Sequence, residues 1–246
     1  MNKIRKTKSD LTFLRKALRR GDVSIKTEDN GTTLHFAAQE GMLELALDLL
    51  AVQAEINTTD DKGWTPLHYA ADSDHLDMVK LLIEHGADIS AQDLPGCTPF
   101  HNAICNGNIL MVEHFITCGA DVNAKDFNGW SCLHKATKRG YESVVKMLIG
   151  HGAVINTKAF RGITPLHLAV AHGHVGIADI LIAHGSELDA KLDDGYTPLH
   201  IAGMSGYEKL YSTLLSHGAS EDCRNRDGIT PEQLLAKSRK RKSKKS

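Results

Sequence analysis

Apolar residues along this chain come in short bursts at helical spacing, each cut off by a polar, glycine-bearing stretch. Two kinds of burst alternate. Val144-Val145-Lys146-Met147-Leu148-Ile149 typifies one, with a broad apolar face suited to a core. The other carries a small residue at Ala37, Ala70, Ala103, Ala136, Ala169 and Ala202, where lack of bulk lets helices approach closely. This second kind opens on Thr32-Thr33-Leu34-His35, Thr65-Pro66-Leu67-His68, Thr98-Pro99-Phe100-His101, Ser131-Cys132-Leu133-His134, Thr164-Pro165-Leu166-His167 and Thr197-Pro198-Leu199-His200. Threonine or serine there serves as an N-cap, and proline at the first helical position lacks only an N–H that would have stayed unpaired. The residue two before the cap is Asn30 in the first copy and glycine in the rest, both tolerant of the positive φ that a tight turn needs. Glycine also closes the helix, at Gly41, Gly107, Gly140, Gly173 and Gly206. Asp74 stands there in the second copy, so a looser turn is expected at that point.

Each copy begins 33 residues after the last, and Thr230-Pro231 starts a seventh. A strict period of this length marks a stacked repeat array, in which no unit can bury its apolar face alone. With these motifs the chain resembles the ankyrin repeat family, whose signature is the Thr-Pro-Leu-His-x-Ala run. The resemblance implies an all-α repeat solenoid of stacked helix-turn-helix units with projecting β-hairpin-like fingers. Six full repeats fall at residues 27–59, 60–92, 93–125, 126–158, 159–191 and 192–224, with half-repeat caps at 11–26 and 225–236. The first cap rests on Leu11-Thr12-Phe13-Leu14-Arg15-Lys16-Ala17-Leu18, apolar at helical spacing behind Asp10. The last has Glu232 and Gln233 where leucine and histidine stand elsewhere, a polar change that suits an end unit. Residues 1–10 read as a flexible basic lead. Residues 237–246 contain only Lys, Arg and Ser, cannot build a core, and are expected to be disordered.

The formal net charge of −1 conceals a segregation. The first 20 residues hold eight basic groups against Asp10 and the last ten hold seven with no acid, which leaves the body with 14 basic and 29 acidic residues. Such a body is a poor ligand for phosphate backbones, so nucleic acid is expected only at the basic ends. Cys97, Cys105, Cys118, Cys132 and Cys223 form no CxxC pair, an odd and irregular set that favours reduced thiols in cytosol or nucleus. No apolar run approaches the ~18 residues of a membrane span. The N-terminus lacks the apolar core of a secretory signal, and Asp10 with the repeat-like residues 11–20 argues against a mitochondrial presequence.

No nucleophile elbow, Walker loop, Rossmann glycine pattern or HExxH occurs, so no catalytic residue, cofactor or metal is assigned. The abundant aspartates fall in turns and fingers. Six of the 14 histidines sit in the repeated tetrapeptide. On helices ~8–10 Å apart, successive copies cannot share one ion at ~2 Å, so each imidazole is expected to bond neighbouring backbone.

The resemblance implies other proteins as partners, with a peptide or extended segment seated in a concave groove of finger tips and exposed first-helix residues, on a monomeric chain. In those slots stand Trp64, Phe127, Trp130, Lys138, Arg139, Phe160, Arg161, His172 and Tyr196. Two readings of the rings stay open: anchors for a partner, or packing onto the neighbouring finger. Such a groove is acidic toward its N-terminal end and aromatic with basic rims at its centre, matching a segment basic at one end and apolar to acidic in the middle. Arg239, Lys240, Arg241, Lys242, Lys244 and Lys245 look like a nuclear import signal, which gives an expected location in nucleus and cytoplasm. Family resemblance also marks Asn57 for asparaginyl hydroxylation, with Leu49 eight residues before it and Glu55 two before. The expected function is a noncatalytic interaction scaffold or adaptor with nuclear access. The rivals are a nucleic-acid-associated transcriptional regulator using its basic ends, and a substrate-recruiting subunit of a ubiquitin ligase or other enzyme complex.

Overall fold

The computed structural model describes Lys26 and residues 29–243. The lead at 1–10, the cap at 11–26 apart from Lys26, the side chain of Lys242, and Lys244 and Lys245 lie outside the described residues. The chain divides into two compact units between Phe127 and Asn128. The first contains three helix pairs: α1 (Thr33–Gln39) with α2 (Leu43–Ala51), α3 (Pro66–Asp72) with α4 (Leu76–Glu84), and α5 (Pro99–Asn106) with α6 (Ile109–Thr117). The second contains α7 (Cys132–Arg139) with α8 (Glu142–Gly150), α9 (Pro165–Ala171) with α10 (Val175–Ala183), and α11 (Pro198–Ser205) with α12 (Glu208–Ser216), followed by α13 (Pro231–Ser243). This is the all-α solenoid class of helix-turn-helix repeats that the period predicts.

The fingers are tight turns, and the described residues hold only an isolated bridge, Lys26 with Thr32, in place of strands. One backbone bond closes each turn, as from Asp60 N–H to the Trp64 carbonyl at 3.0 Å and from Leu192 N–H to the Tyr196 carbonyl at 2.9 Å. Within each unit the fingers then bond in series, always 32 residues apart. Asp61, Leu94 and Phe127 donate to the carbonyls of Asp29, Lys62 and Pro95; Phe160, Asp193 and Arg226 donate to those of Asn128, Arg161 and Asp194.

Packing follows the two kinds of apolar burst. The repeated alanines of the first helices are fully buried, and the outer helices bury an i, i+1, i+4 stripe such as Met78, Val79 and Leu82 in one unit and Val144, Val145 and Leu148 in the other. A nine-residue helix is too short to persist alone in water. Each buried leucine or phenylalanine contributes roughly 1.5–3 kcal/mol, and most of that burial is against another helix.

Each tetrapeptide histidine bonds on both sides of its ring. In the first unit, Nδ1 of His35, His68 and His101 accepts the backbone N–H of Thr32, Thr65 and Thr98 at 2.9, 3.1 and 3.0 Å. In the second, His134, His167 and His200 accept from Ser131, Thr164 and Thr197 at 3.2 Å. A backbone N–H can only donate, so Nδ1 carries no proton and Nε2–H must be the donor. That donor reaches a carbonyl of the following finger or loop: Trp64, Cys97 and Ala124 in the first unit, Ile163, Tyr196 and Ile229 in the second. Burial holds His35, His68, His167 and His200 below the ordinary imidazole value, His167 down to about 4.

Two expectations need correction. The turn at Asp74 is not looser: Asp74 takes φ 60 as glycine does elsewhere, His75 N–H bonds the Ala70 carbonyl at 3.0 Å, and the Asp74 carboxylate accepts from Asn108 Nδ2 at 2.9 Å. A short acceptor side chain tolerates the left-handed region, and here it is also tied to the next repeat. The tail is not disordered from residue 237, because α13 runs through to Ser243. Its first turns are anchored by buried Leu234 and Leu235, and by Gln233, whose Oε1 takes the Thr230 N–H at 3.0 Å in the histidine's place. Lysine and arginine then extend an already nucleated helix at little cost.

Substituting His68 by alanine leaves the buried Thr65 N–H unpaired and removes one of two donors from the Cys97 carbonyl, which keeps the Asp93 N–H at 2.9 Å. The expected loss is about 1–3 kcal/mol, read as a lower urea midpoint. Acid acts in the same direction. Above about pH 6.5 the imidazoles are neutral whether folded or not; as pH falls toward 4 the unfolded chain takes protons first, so stability declines across that window. Asp72, whose carboxyl burial pushes up, opposes part of the decline. A melting temperature that rises between pH 6.5 and 4.5 contradicts this assignment.

Candidate functional site

The predicted surface residues behave differently in the two units. In the first, the half-buried Trp64 is part of the framework. Its indole N–H donates to Asp93 Oδ2 at 3.0 Å, and its ring meets Tyr69 edge-on at 4.9 Å between centroids. The Tyr69 hydroxyl donates to Asp60 Oδ2 at 2.7 Å, while Asp60 Oδ1 accepts the N–H groups of Lys62 and Trp64 at 2.9 and 2.8 Å. Desolvation and then the Asp60 bond push the Tyr69 phenol well above its usual range. Of the two readings of the rings, packing onto the neighbouring finger describes Trp64. Phe127 is the opposite case, 70% exposed, its ring laid over Gly96 where any Cβ would stand 2.6 Å from a ring carbon.

Sequence reasoning missed the ladder of finger carboxylates behind this. Asp60, Asp93 and Asp126 are buried, and each ties its own turn or the preceding finger: Asp93 Oδ1 accepts the Cys97 N–H at 2.6 Å, and Asp126 Oδ2 lies 3.9 Å from Cys97 Sγ. Their 33-residue spacing was the available signal; reading finger aspartates as generic turn residues concealed it.

In the second unit Ala159 occupies the place that Asp93 has relative to Trp64, so the following finger offers Trp130 no carboxylate at that register. Lys138 Nζ lies 5.1 Å from the Trp130 ring centroid instead. Phe160 is 62% exposed, with the Arg161 guanidinium carbon 5.5 Å from its ring centroid. Its N–H bond to the Asn128 carbonyl, at 2.8 Å, sets those two fingers side by side. At the end of α9, the rings of His172 and His174 are near-parallel at 5.8 Å, and His174 Nε2 lies 3.4 Å from the Lys138 carbonyl. Burial, then His174 and Lys138, hold His172 below its ordinary value. Arg139 is exposed at the end of α7. Tyr196 is half-buried on a later finger, and its carbonyl accepts from His167. The structure thus brings together Trp130 with Lys138, Phe160 with Arg161, and His172 with Lys138.

Asn57 is exposed but engaged, its Oδ1 accepting the Asp88 N–H at 2.9 Å and its Nδ2 donating to the Gly86 carbonyl at 3.3 Å. Asn156 makes the same pair of bonds with Glu187 and Gly185. Arg239, Lys240 and Arg241 are exposed on α13, with Arg239 Nε 2.9 Å from Glu208 Oε1. Among the described residues no group of three His, Cys, Asp or Glu side chains is placed to hold a metal ion, and no helix is long and apolar enough to cross a membrane.

A family model for ankyrin repeats in three copies matches residues 5–93, 90–159 and 156–227. Comparison with curated proteins returns no match.

The two kinds of ring give different outcomes on substitution. Trp64→Phe keeps an aromatic ring, though a smaller one, but leaves the buried Asp93 carboxylate short of a donor, an expected loss of about 1.5–3 kcal/mol. Phe160→Ala is expected to stay within about 0.5 kcal/mol of the parent, as for an exposed site. Chemical denaturation of both variants checks the contrast, and equal destabilisation refutes it.

Proposed function

The chain belongs to the ankyrin repeat family, whose repeats are protein–protein interaction modules, and on that premise we propose a noncatalytic scaffold or adaptor that holds an extended partner segment on its finger and first-helix surface. The observation that carries this reading is the contrast between the rings. Trp64 is absorbed into the framework, whereas Phe127 and Phe160 remain open to solvent; Trp130 is half-buried against His134 with Lys138 over its ring. Exposed large rings mark interaction surfaces, and tryptophan, tyrosine and arginine are the residue types that dominate binding energy at protein interfaces. The expected complex uses Trp130 and Phe160 of the second unit as anchors, with Arg139, Arg161 and His172 at the rim.

Access to the nucleus forms part of the proposal. Lys240 and Arg241 are exposed on the last turns of α13, a basic cluster suited to an import receptor with an acidic surface. A second reading, attachment to nucleic acid through the basic ends, draws on the same exposed residues.

In affinity capture from cell lysate read by mass spectrometry, Trp130→Ala with Arg139→Glu is expected to lose specific partners while keeping the parent's circular dichroism. Unchanged capture by the folded double variant removes the site. Salt-dependent nucleic-acid binding that survives this double variant, but disappears when residues 1–20 and 237–246 are deleted, replaces the first reading with the second. Lys240→Ala with Arg241→Ala and Lys242→Ala, in a fluorescent fusion, is expected to lower the nuclear share, and an unchanged distribution rejects import through this cluster.

A further inference from the structure

Lys138, Arg139 and Arg161 are exposed cations in the second unit, and none has a carboxylate partner among the described residues. Residues 128–236 hold 11 acidic and 10 basic residues, so acids are present in number in this unit, yet these three cations are left without one. Two of the three rest on aromatic rings, Lys138 on Trp130 at 5.1 Å and Arg161 on Phe160 at 5.5 Å. A ring fixes the position of a cation without using up its N–H donors. The electrostatic neighbours of His172 are His174 and Lys138, with no acid among them.

Arg161 adds an independent observation. It sits at φ 63, in the left-handed region that disfavours a side chain, whereas Lys62, Pro95 and Asp194 hold the same finger position at negative φ. Glycine would relieve that strain, so the finger tip carries an arginine at some expense to stability. Strain kept at an exposed position points to use of the side chain rather than to packing.

We propose, resting on the reading of this face as a partner site, that its partner is an anionic peptide segment. Aspartate or glutamate side chains of that segment pair with Lys138, Arg139 and Arg161, and an apolar or aromatic side chain seats on Trp130 and Phe160. The planar guanidinium fork of Arg161 takes a carboxylate with two parallel bonds. A peptide fits better than a nucleic acid because exposed Asp193 and Asp194 stand on the next finger. They repel a continuous run of phosphates, whereas a peptide places its few acids locally.

The test is selection of a random displayed-peptide library on the full chain at about 0.15 M salt. Enrichment of Asp and Glu next to apolar residues is expected. Synthetic copies of the selected peptides should bind at least about tenfold more weakly to Lys138→Glu with Arg139→Glu, at matched circular dichroism. Arg161→Gly should melt higher than the parent and bind the same peptides more weakly, a combination that a purely structural arginine does not produce. Selected peptides without acidic enrichment, but lost on Trp130→Ala, overturn the anionic assignment and leave the site standing. Peptides retained by both the Trp130 and the charge-reversed variants, or no selection at all, overturn the site itself. Displacement of the peptides by an equimolar single-stranded oligonucleotide overturns the assignment in favour of nucleic acid.

Discussion

A neutral imidazole bonded through both nitrogens is the constraint on which the rest of this structure depends. On one side it completes the cap of its own helix, and on the other it holds the base of the next finger. Because a backbone N–H faces Nδ1, only one tautomer satisfies both bonds, so the ring leaves no freedom in how the turn is seated. Cap, finger and neighbouring repeat are thereby fixed together. Side chains beyond the finger base, and those at the exposed end of the first helix, are then released from any framework duty. Phe127, Phe160, Lys138, Arg139 and Arg161 come from that exposed set, whereas Trp64, Trp130 and Tyr196 are half-buried beside the framework histidines.

Much of the fold could be read from residue order because the determinants are local and repeated. Threonine caps, proline at the first helical turn and glycine or asparagine at positive φ act within four or five residues, so Asn30 at φ 63 needed no knowledge of its surroundings. The candidate site was harder to read. Trp64 and Trp130 occupy the same slot, and what separates them lies 29 residues onward, an aspartate in one case and Ala159 in the other. Composition also misled at the C-terminus. A Lys/Arg/Ser run cannot nucleate a helix, but Pro231 through Leu235 had already done so against the preceding repeat, where Gly203 leaves no room for a Cβ beside the Pro231 carbonyl.

Buried carboxylates and exposed cations are distributed unevenly along the array. Asp60, Asp93 and Asp126 stiffen the fingers of the first unit from within, while the fingers that open the fifth and sixth repeats carry Ala159 and Leu192 in their place. Loss of the internal acid coincides with appearance of the unpaired bases Lys138, Arg139 and Arg161. Residues 21–127 hold 18 acidic and 4 basic residues and residues 128–236 hold 11 and 10, so the positive character is local to Lys138, Arg139 and Arg161, and with it the preference proposed for the ligand.

The serial finger bonds have a consequence for how this chain can change length. Each links an amide to a carbonyl 32 residues earlier, and the imidazoles of His35, His68, His134, His167 and His200 reach forward 29 residues. Losing or gaining a residue or two inside a finger would put the amide–carbonyl pair that spans it out of step, whereas removing one whole 33-residue module would return amide and carbonyl to matching places. Such a gene can drift freely in side chains while its insertions and deletions are quantised, and its descendants should differ by whole modules rather than by ragged loops.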